Sequence, residues 1–407
     1  MALRPSSPFP IYLVGLGSWF VPLGIQMVLF PWLVAVVLHM DAFAVGVAQM
    51  AIMVPSLLFL PLGGLVADRG NPRRLLMRYH VLYAVPPLVL AAILSAGGLS
   101  FSLLIVYGLA AGSIGAFAVP TRDAMLPFVA TGNLPRAVAL VTALQSGGQL
   151  VGMALASAAD RIGAVPLLLA QSCLVLAGFL AVWRLPDPPP HPPSPQTGFW
   201  HSMADGVTEA VRSHQIWPVL LLNIGIGIFY VGPFLAVLPL VVRDVYGGSS
   251  GEIALVNLAF WSGTIVAAVT FTGFARRFTL RGRLVVSAVS VGAVILFGMA
   301  LQPPFVGLMC LCLAWGIGAG ITLTQGRTVL QIVAPPTHRA RLMSLFQLGL
   351  GGGGPIGAFL SGTIASLWGL KVALVVPAVA MSFVIVFVLL RSRIWTMRTL
   401  EQSVSKT

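Results

Sequence analysis

Apolar residues run through this chain in long unbroken stretches, and from Ile11 to Leu390 run after run reaches 18 residues or more. Each is long enough to cross a hydrocarbon core of about 30 Å at about 1.5 Å of helical rise per residue. Stretches such as Leu88 to Leu94 and Val372 to Leu390 are apolar on every face, whereas a transmembrane barrel strand alternates apolar and polar positions over about ten residues. Lipid offers no partner for open backbone groups, so helices are the architecture that remains.

Breaking the pattern at charged, Pro-rich and Gly-rich punctuation predicts twelve spans in two sets of six. The first set covers 11 to 38, 42 to 66, 75 to 96, 101 to 129, 137 to 160 and 164 to 183. The second covers 216 to 243, 251 to 275, 284 to 301, 305 to 333, 342 to 367 and 371 to 390. The run from Ile11 to Leu38 is too long for a signal-peptide core and lacks a small-residue cleavage site, so it reads as a retained helix. The expected domains are an N-terminal six-helix bundle over 1–183, a Pro-rich linker with a surface helix over 184–213, a C-terminal bundle over 214–390 and a tail over 391–407. The linker, Leu185 to Pro195, is too dense in proline for a helix and reads as a semi-rigid spacer. After it, Trp200, Met203, Val207, Ala210 and Val211 recur at helical spacing, as in a helix lying on the membrane surface.

Composition supports this reading, since 58% of the 407 residues are hydrophobic and 8% charged, against about a quarter charged in soluble domains. A net charge of +13 would suggest nucleic acid in a soluble chain, but here the charge sits in short loops and sets orientation instead. Of the 23 Lys and Arg, Arg161, Arg243 and Lys371 fall on one side, Arg122 and Arg327 lie inside spans, and all the rest fall on the other side. That asymmetry predicts a multi-pass membrane protein with both termini cytoplasmic, and nucleic acid is not an expected partner. Cys173, Cys310 and Cys312 all fall inside apolar runs, so neither a disulfide framework nor a zinc site is expected.

The two halves repeat. An offset of 205 relates Arg122 to Arg327, Arg136 to Arg341, Leu140 to Leu345, Gly147 to Gly352, Gly148 to Gly353 and Gly152 to Gly357. Two pseudo-symmetric halves, each with an arginine inside the membrane at matching depth, suit a transporter built from parallel repeats.

The loop after the second span reads Gly64-Leu-Val-Ala-Asp68-Arg69-Gly-Asn-Pro-Arg73-Arg74, and it resembles the cytoplasmic signature of the major facilitator superfamily. The resemblance implies that fold, with two six-helix bundles rocking about a central site, in a bacterial inner-membrane transporter expected to act as a monomer with lipids, protons and a small-molecule substrate as partners. It also implies a cytoplasmic gate in which Asp68 meets an arginine and the eleventh helix, whose start carries Arg339 and Arg341. Gly64, Asp68, Arg69, Arg73, Arg74 and Arg341 are the gate candidates. Asn71 and Pro72 replace the usual glycine and basic residue, with Asn71 able to take the left-handed turn, and the matching loop Gly273 to Arg277 has no acid. The segments Pro120 to Arg136, Arg339 to Leu345 and Gly353 to Gly362 are similar to the exporter branch that includes enterobactin and macrolide efflux proteins. The glycine-proline pair of that branch appears as Gly152-Met153 in the fifth span and persists as Gly354-Pro355 in the eleventh.

An arginine within the membrane needs water, a partner or a ligand. Arg122 and Arg327 each lie about 10 Å from a helix end and can reach the interface, so two readings stay open: cavity wall or gate. Thr142, Gln145 and Gln149 on the fifth span and Thr324, Arg327 and Gln331 on the tenth fall at i, i+3 and i+7, polar stripes that either line the cavity, the favoured reading, or hydrogen-bond helix to helix. Asp123 is the candidate for proton coupling. The tryptophans read best as interface belts, and His80 stands alone near a helix start. No phosphate-binding Gly-x-x-x-x-Gly-Lys-Ser/Thr loop and no catalytic set occurs, so neither a cofactor nor an enzymatic activity is expected. The expected function is proton-driven export of a small organic molecule, such as a siderophore, drug or amphipathic metabolite, by alternating access. An importer or facilitator of an organic anion or lipid-like metabolite, and a non-transporting sensor or assembly factor, are the alternatives.

Overall fold

The computed structural model describes residues 8–130, 134–188, 207–273, 281–335, 339–392 and 394–396. Most of the Pro-rich linker, the first half of the expected surface helix, the loop bearing Arg276 and Arg277 and the C-terminal tail lie outside these residues, whereas Val207–Arg212 is helical. No strand occurs among the described residues.

The helices are α1 (Pro8–Val37), α2 (Ala42–Arg69), α3 (Pro72–Ser95), α4 (Phe101–Val129), α5 (Leu134–Ala156), α6 (Ala164–Trp183), α7 (Trp217–Tyr246), α8 (Ser250–Gly273), α9 (Arg281–Ala300) and α10 (Phe305–Val333). A final helical stretch, Arg339–Arg391, is interrupted at Gly369, whose φ of 84° and ψ of 168° are not helical. It therefore contains two spans, α11 over 339–368 and α12 over 370–391, which makes twelve among the described residues. Prolines inside the helices, such as Pro22 and Pro31 in α1, are tolerated because wider turns take up the freed carbonyls. One such π-helical turn, Leu33–Val37, follows Pro31 directly.

Two local features differ from the sequence pattern. Asn71 is extended (φ −78°, ψ 111°) rather than left-handed, and its side-chain oxygen accepts from Arg74 N–H at 3.1 Å. It is thus the N-cap of α3, with Pro72 in the first helical position, where a missing N–H costs nothing. The fifth span stops at Ala156 instead of continuing to 160, and a separate turn, Ala159–Ile162, carries Asp160 away from the helix axis.

By internal contacts the chain forms two compact units. The first comprises 1–40, 51–195 and 247–255, and the second 41–50, 196–246 and 256–407. The core of the first unit gathers Tyr12, Leu16, Phe20, Leu76, Met125 and Val182, beside an aromatic cluster of Trp19, Tyr79 and Tyr83. In the second unit Trp315 stands edge-on to Tyr230, Phe234 and Phe260.

Glycines set how closely the helices cross. A Cβ on Gly152 of α5 would lie 2.1 Å from the Val21 carbonyl oxygen of α1, and one on Gly24 would lie 2.1 Å from that of Gln149. In the second unit a Cβ on Gly357 of α11 would lie 2.2 Å from the Ile228 carbonyl of α7. Gly152 and Gly357 are the pair related by the 205 offset, so both units use the same backbone-to-backbone contact. Outside these seams the helices turn large apolar side chains outward, among them Val14, Val294, Leu301 and Phe383, each more than 60% exposed. Faces of that kind belong in lipid, as a multi-pass membrane protein requires.

Candidate functional site

A cavity of about 200 Å³ opens within the first unit between α1, α2, α3 and α4. It exists because α2 and α4 cross tightly at one level: a Cβ on Gly112 would lie 2.1 Å from the Ile52 carbonyl oxygen, and the Ser56 hydroxyl donates to the Gly112 carbonyl at 3.2 Å. Small residues of α4, including Gly115 and Ala116, then leave space beside the contact. Trp19 and Tyr83 form an aromatic wall, their ring centroids 4.5 Å apart, and Arg122 borders the cavity with its guanidinium carbon 5.6 Å from the Trp19 ring and 5.3 Å from Phe20. Guanidinium planes stack well on such faces. Polar groups are few: the Tyr83 hydroxyl donates to Gln26 Oε1 at 2.8 Å, which orients both. An apolar chamber with a small number of oriented polar groups is the usual character of a small-molecule site.

Of the residues singled out in the sequence, Arg122 reaches this cavity. Asp123 is exposed on α4, Gln145 is exposed on α5, and Gln149 is buried at the α1 crossing rather than in the cavity wall. In the second unit Arg327 is exposed and donates to Gln347 Oε1 at 3.0 Å; Gln331 is also exposed. The threonines of the two stripes are satisfied by their own helices, Thr142 on Val138 O and Thr324 on Gly320 O. Asn223 likewise ties α7 to α11 by donating to the Phe346 carbonyl.

Around the gate motif, Asp68, Arg69 and Arg74 are exposed at the junction of α2 and α3, Arg341 is half-buried on α11, and a Cβ on Gly64 would meet nothing within 4 Å. Arg73 has a partner that the sequence did not suggest. Its guanidinium pairs with Asp187 at 3.2 Å and donates to the Trp183 carbonyl, while Asn71 donates to the same carboxylate at 3.0 Å. These bonds hold the Asp187 carboxyl below its ordinary range, the Asn71 and Arg73 contacts leading.

Trp19, His80 and Asp160 have partners that the sequence does not suggest. Trp19 and Trp32 are buried, not in an interface belt, whereas Trp368 is 64% exposed. His80 is 1% exposed and packs edge-on against Trp19, ring centroids 5.2 Å apart. Asp160, at the end of the first unit opposite the gate motif, accepts from Ser250 N–H at 2.9 Å, the Ser250 hydroxyl at 2.6 Å, the Ser249 hydroxyl and the Trp32 indole at 3.1 Å. Partial burial pushes the Asp160 carboxyl up, but the hydrogen bonds from Ser249, Ser250 and Gly251 outweigh it and hold the group below its ordinary value. Glu252 completes the helix start by accepting from Ser249 N–H at 2.8 Å, so Asp160 sits where the first turn of α8 exposes unpaired donors. Neither Asp160 nor His80 stands out in sequence, since their partners lie 90 and 61 residues away.

Comparison with known proteins adds a family. The transmembrane secretion effector profile of the major facilitator superfamily matches residues 13–407. The multidrug efflux pump Tap of Mycolicibacterium fortuitum is 24% identical over 391 residues, covering 89% of this chain and 91% of that protein. Among solved structures, the nucleoside transporter NupG superposes with a TM-score of 0.75 at 13% identity, over 95% of this chain and 99% of that one. A bacterial homologue of the human lysosomal transporter Spinster gives 0.74 at 16% identity, over 97% and 98%. A D-xylose-proton symporter gives 0.67 at 14% identity, over 92% and 97%.

Proposed function

The chain belongs to the transmembrane secretion effector family of major facilitator transporters, and on that basis we propose that it exports a small amphipathic organic molecule in exchange for protons. The observation that carries the substrate class is Arg122 bordering an apolar and aromatic cavity. A fixed cation beside a greasy chamber suits a compound with an apolar or aromatic body and an acidic group. At about 200 Å³ the chamber is smaller than the roughly 300–1,000 Å³ of most ligand pockets, so it takes one ring or chain segment of the substrate rather than all of it. The distant efflux relative supports outward movement. In this reading Gln149 and the Arg327–Gln347 pair tune helix packing, and Asp68 with Arg69 and Arg74 serves the cytoplasmic gate on the side of the first unit.

The test is uptake into inside-out vesicles whose lumen is acidified, using a dansyl-labelled fatty acid and its neutral amide as probes. Gradient-dependent uptake of the acid that falls with Arg122→Ala supports the reading. Uptake of both probes regardless of the gradient would make the protein a facilitator, and preference for the amide would remove Arg122 from the site.

A further inference from the structure

The imidazole of His80 is held in one neutral tautomer by its neighbours. The indole N–H of Trp19 can only donate, and it points at His80 Nε2 from 2.8 Å, so Nε2 presents a lone pair. Nδ1 lies 2.7 Å from the Leu76 carbonyl oxygen, which can only accept, so Nδ1 carries the proton. Histidine in this tautomer is neutral and can bind exactly one more proton, at Nε2.

Adding that proton breaks the contact that defines the site. Nε2–H would then face the Trp19 N–H, two donors at hydrogen-bond distance, and one ring has to turn. An alternative acceptor for Nε2–H is already in place: the Gly15 carbonyl oxygen is 3.4 Å away, with the Ser18 hydroxyl at 3.5 Å. No comparable second acceptor is in place for Trp19 among its hydrogen bonds, and its ring forms the cavity wall and supports Arg122. His80 itself has little room, because α6 passes so closely that a Cβ on Gly178 would lie 2.9 Å from the imidazole and 2.6 Å from Ser18 Cβ.

We infer that His80 is a proton-binding site coupled to the substrate cavity through Trp19: the neutral ring holds the indole in the wall, and the protonated ring releases it. The inference rests on the reading of the cavity as the substrate chamber. The proton arrives from water and becomes the Nε2–H bond; the Trp19 N–H···Nε2 hydrogen bond is lost, and Nε2–H turns to the Gly15 carbonyl. The charges and titratable groups around the ring are few. From α4 comes Arg122, with Asp123 exposed beside it; from α3 itself come Tyr79 and Tyr83; from α1 comes Tyr12 next to Arg122; and α6 contributes Gly178 at the contact. The new imidazolium at the indole edge and Arg122 over its face would be two cations on one ring, so a proton on His80 and an undisturbed Arg122–Trp19 contact oppose each other. That opposition is what an exchanger needs if proton and substrate are to alternate.

The test needs no substrate. Full-length protein in lipid nanodiscs, labelled with 15N at histidine rings and tryptophan indoles, is titrated from pH 8 to about pH 3 by NMR, with His80→Gln and Trp19→Phe used for assignment. The His80 ring nitrogens are expected to change from the Nδ1–H tautomer to the cation, and the Trp19 indole signal is expected to move with the same midpoint. The Trp19 transition should vanish in His80→Gln, whose amide oxygen accepts from the indole without titrating, and should persist in Asp123→Asn. If His80 stays neutral across the range, or titrates while Trp19 stands still, the inference is overturned, and the wild-type spectra alone decide this if His80→Gln fails to fold. In vesicles, His80→Gln is expected to lower gradient-driven uptake of the dansyl acid by about tenfold or more while leaving its equilibrium exchange intact. Failure of every variant and of the wild type to move the probe would count against the export reading and leave the titration result standing.

Discussion

Asp160 accepts a 2.6 Å hydrogen bond from the hydroxyl of Ser250, ninety residues away in sequence, and the same carboxylate receives the Ser250 N–H at 2.9 Å. The carboxylate therefore closes the start of α8 with the donors a helix leaves open. Asp160→Ala is expected to lower stability by about 1 kcal/mol, discounted for the exposure of the group, and Asp160→Asn by less. Because the native state holds this carboxyl below its ordinary value, the contribution is fully present above the unfolded carboxylate range and is lost as pH falls through the depressed native value. Melting curves of wild type and Asp160→Ala in detergent should thus differ at pH 7 and converge in strong acid; a constant gap would refute the ionic part of the argument.

The crossing glycines make a contrast within one residue type. Gly152→Ala and Gly357→Ala each force a methyl group into backbone at little over 2 Å and should cost about 1–3 kcal/mol through overpacking. Gly64→Ala meets open space and should be neutral or stabilising by about 0.5 kcal/mol, since alanine is the better helix former. Thermal midpoints of the three variants check the ranking, and equal losses at all three would show that the seams are not the constraint.

Arg122 combines charge with a flat surface stacked near Trp19 and Phe20. Arg122→Lys keeps the charge and loses the stacking plane, so it should retain part of the uptake of an acidic probe, while Arg122→Ala should lose about tenfold or more. Should Arg122→Lys behave like Arg122→Ala, the flat guanidinium rather than its charge is what the substrate reads.

Arg73 and Asp187 lie 114 residues apart near one end of the first unit, tied to Asn71 as well. Asp187→Asn and Arg73→Ala should each speed hydrogen exchange at the end of α6, and the double variant should add little to either alone. Full additivity in the exchange rates would mean that the two side chains act separately.

The hydropathy pattern carried the fold well where punctuation was sharp. The fourth and tenth spans were delimited at 101 to 129 and 305 to 333, and the helices run Phe101–Val129 and Phe305–Val333, because Ser100 caps one and Pro304 precedes the other. The end of α5 was misread because Asp160 answers to donors on α8 and not to its own helix. For the site, an arginine inside apolar sequence is visible to anyone counting charges, and Arg122 was found that way. Trp19 and His80 were not, since an all-apolar helix gives no moment to say which face is buried, and a histidine becomes interesting only once its acceptor and donor are known. Gln145 and Asp123 show the converse: a polar residue in a span need not point into the chamber.

The single-residue junction at Gly369 carries a mechanical consequence. Between α1 and α2 four residues, 38 to 41, can absorb a twist of one helix before the next one feels it. Between α11 and α12 one glycine does the whole turn, so the facing ends of these two helices stay one residue apart, and a displacement of either end is handed to the other.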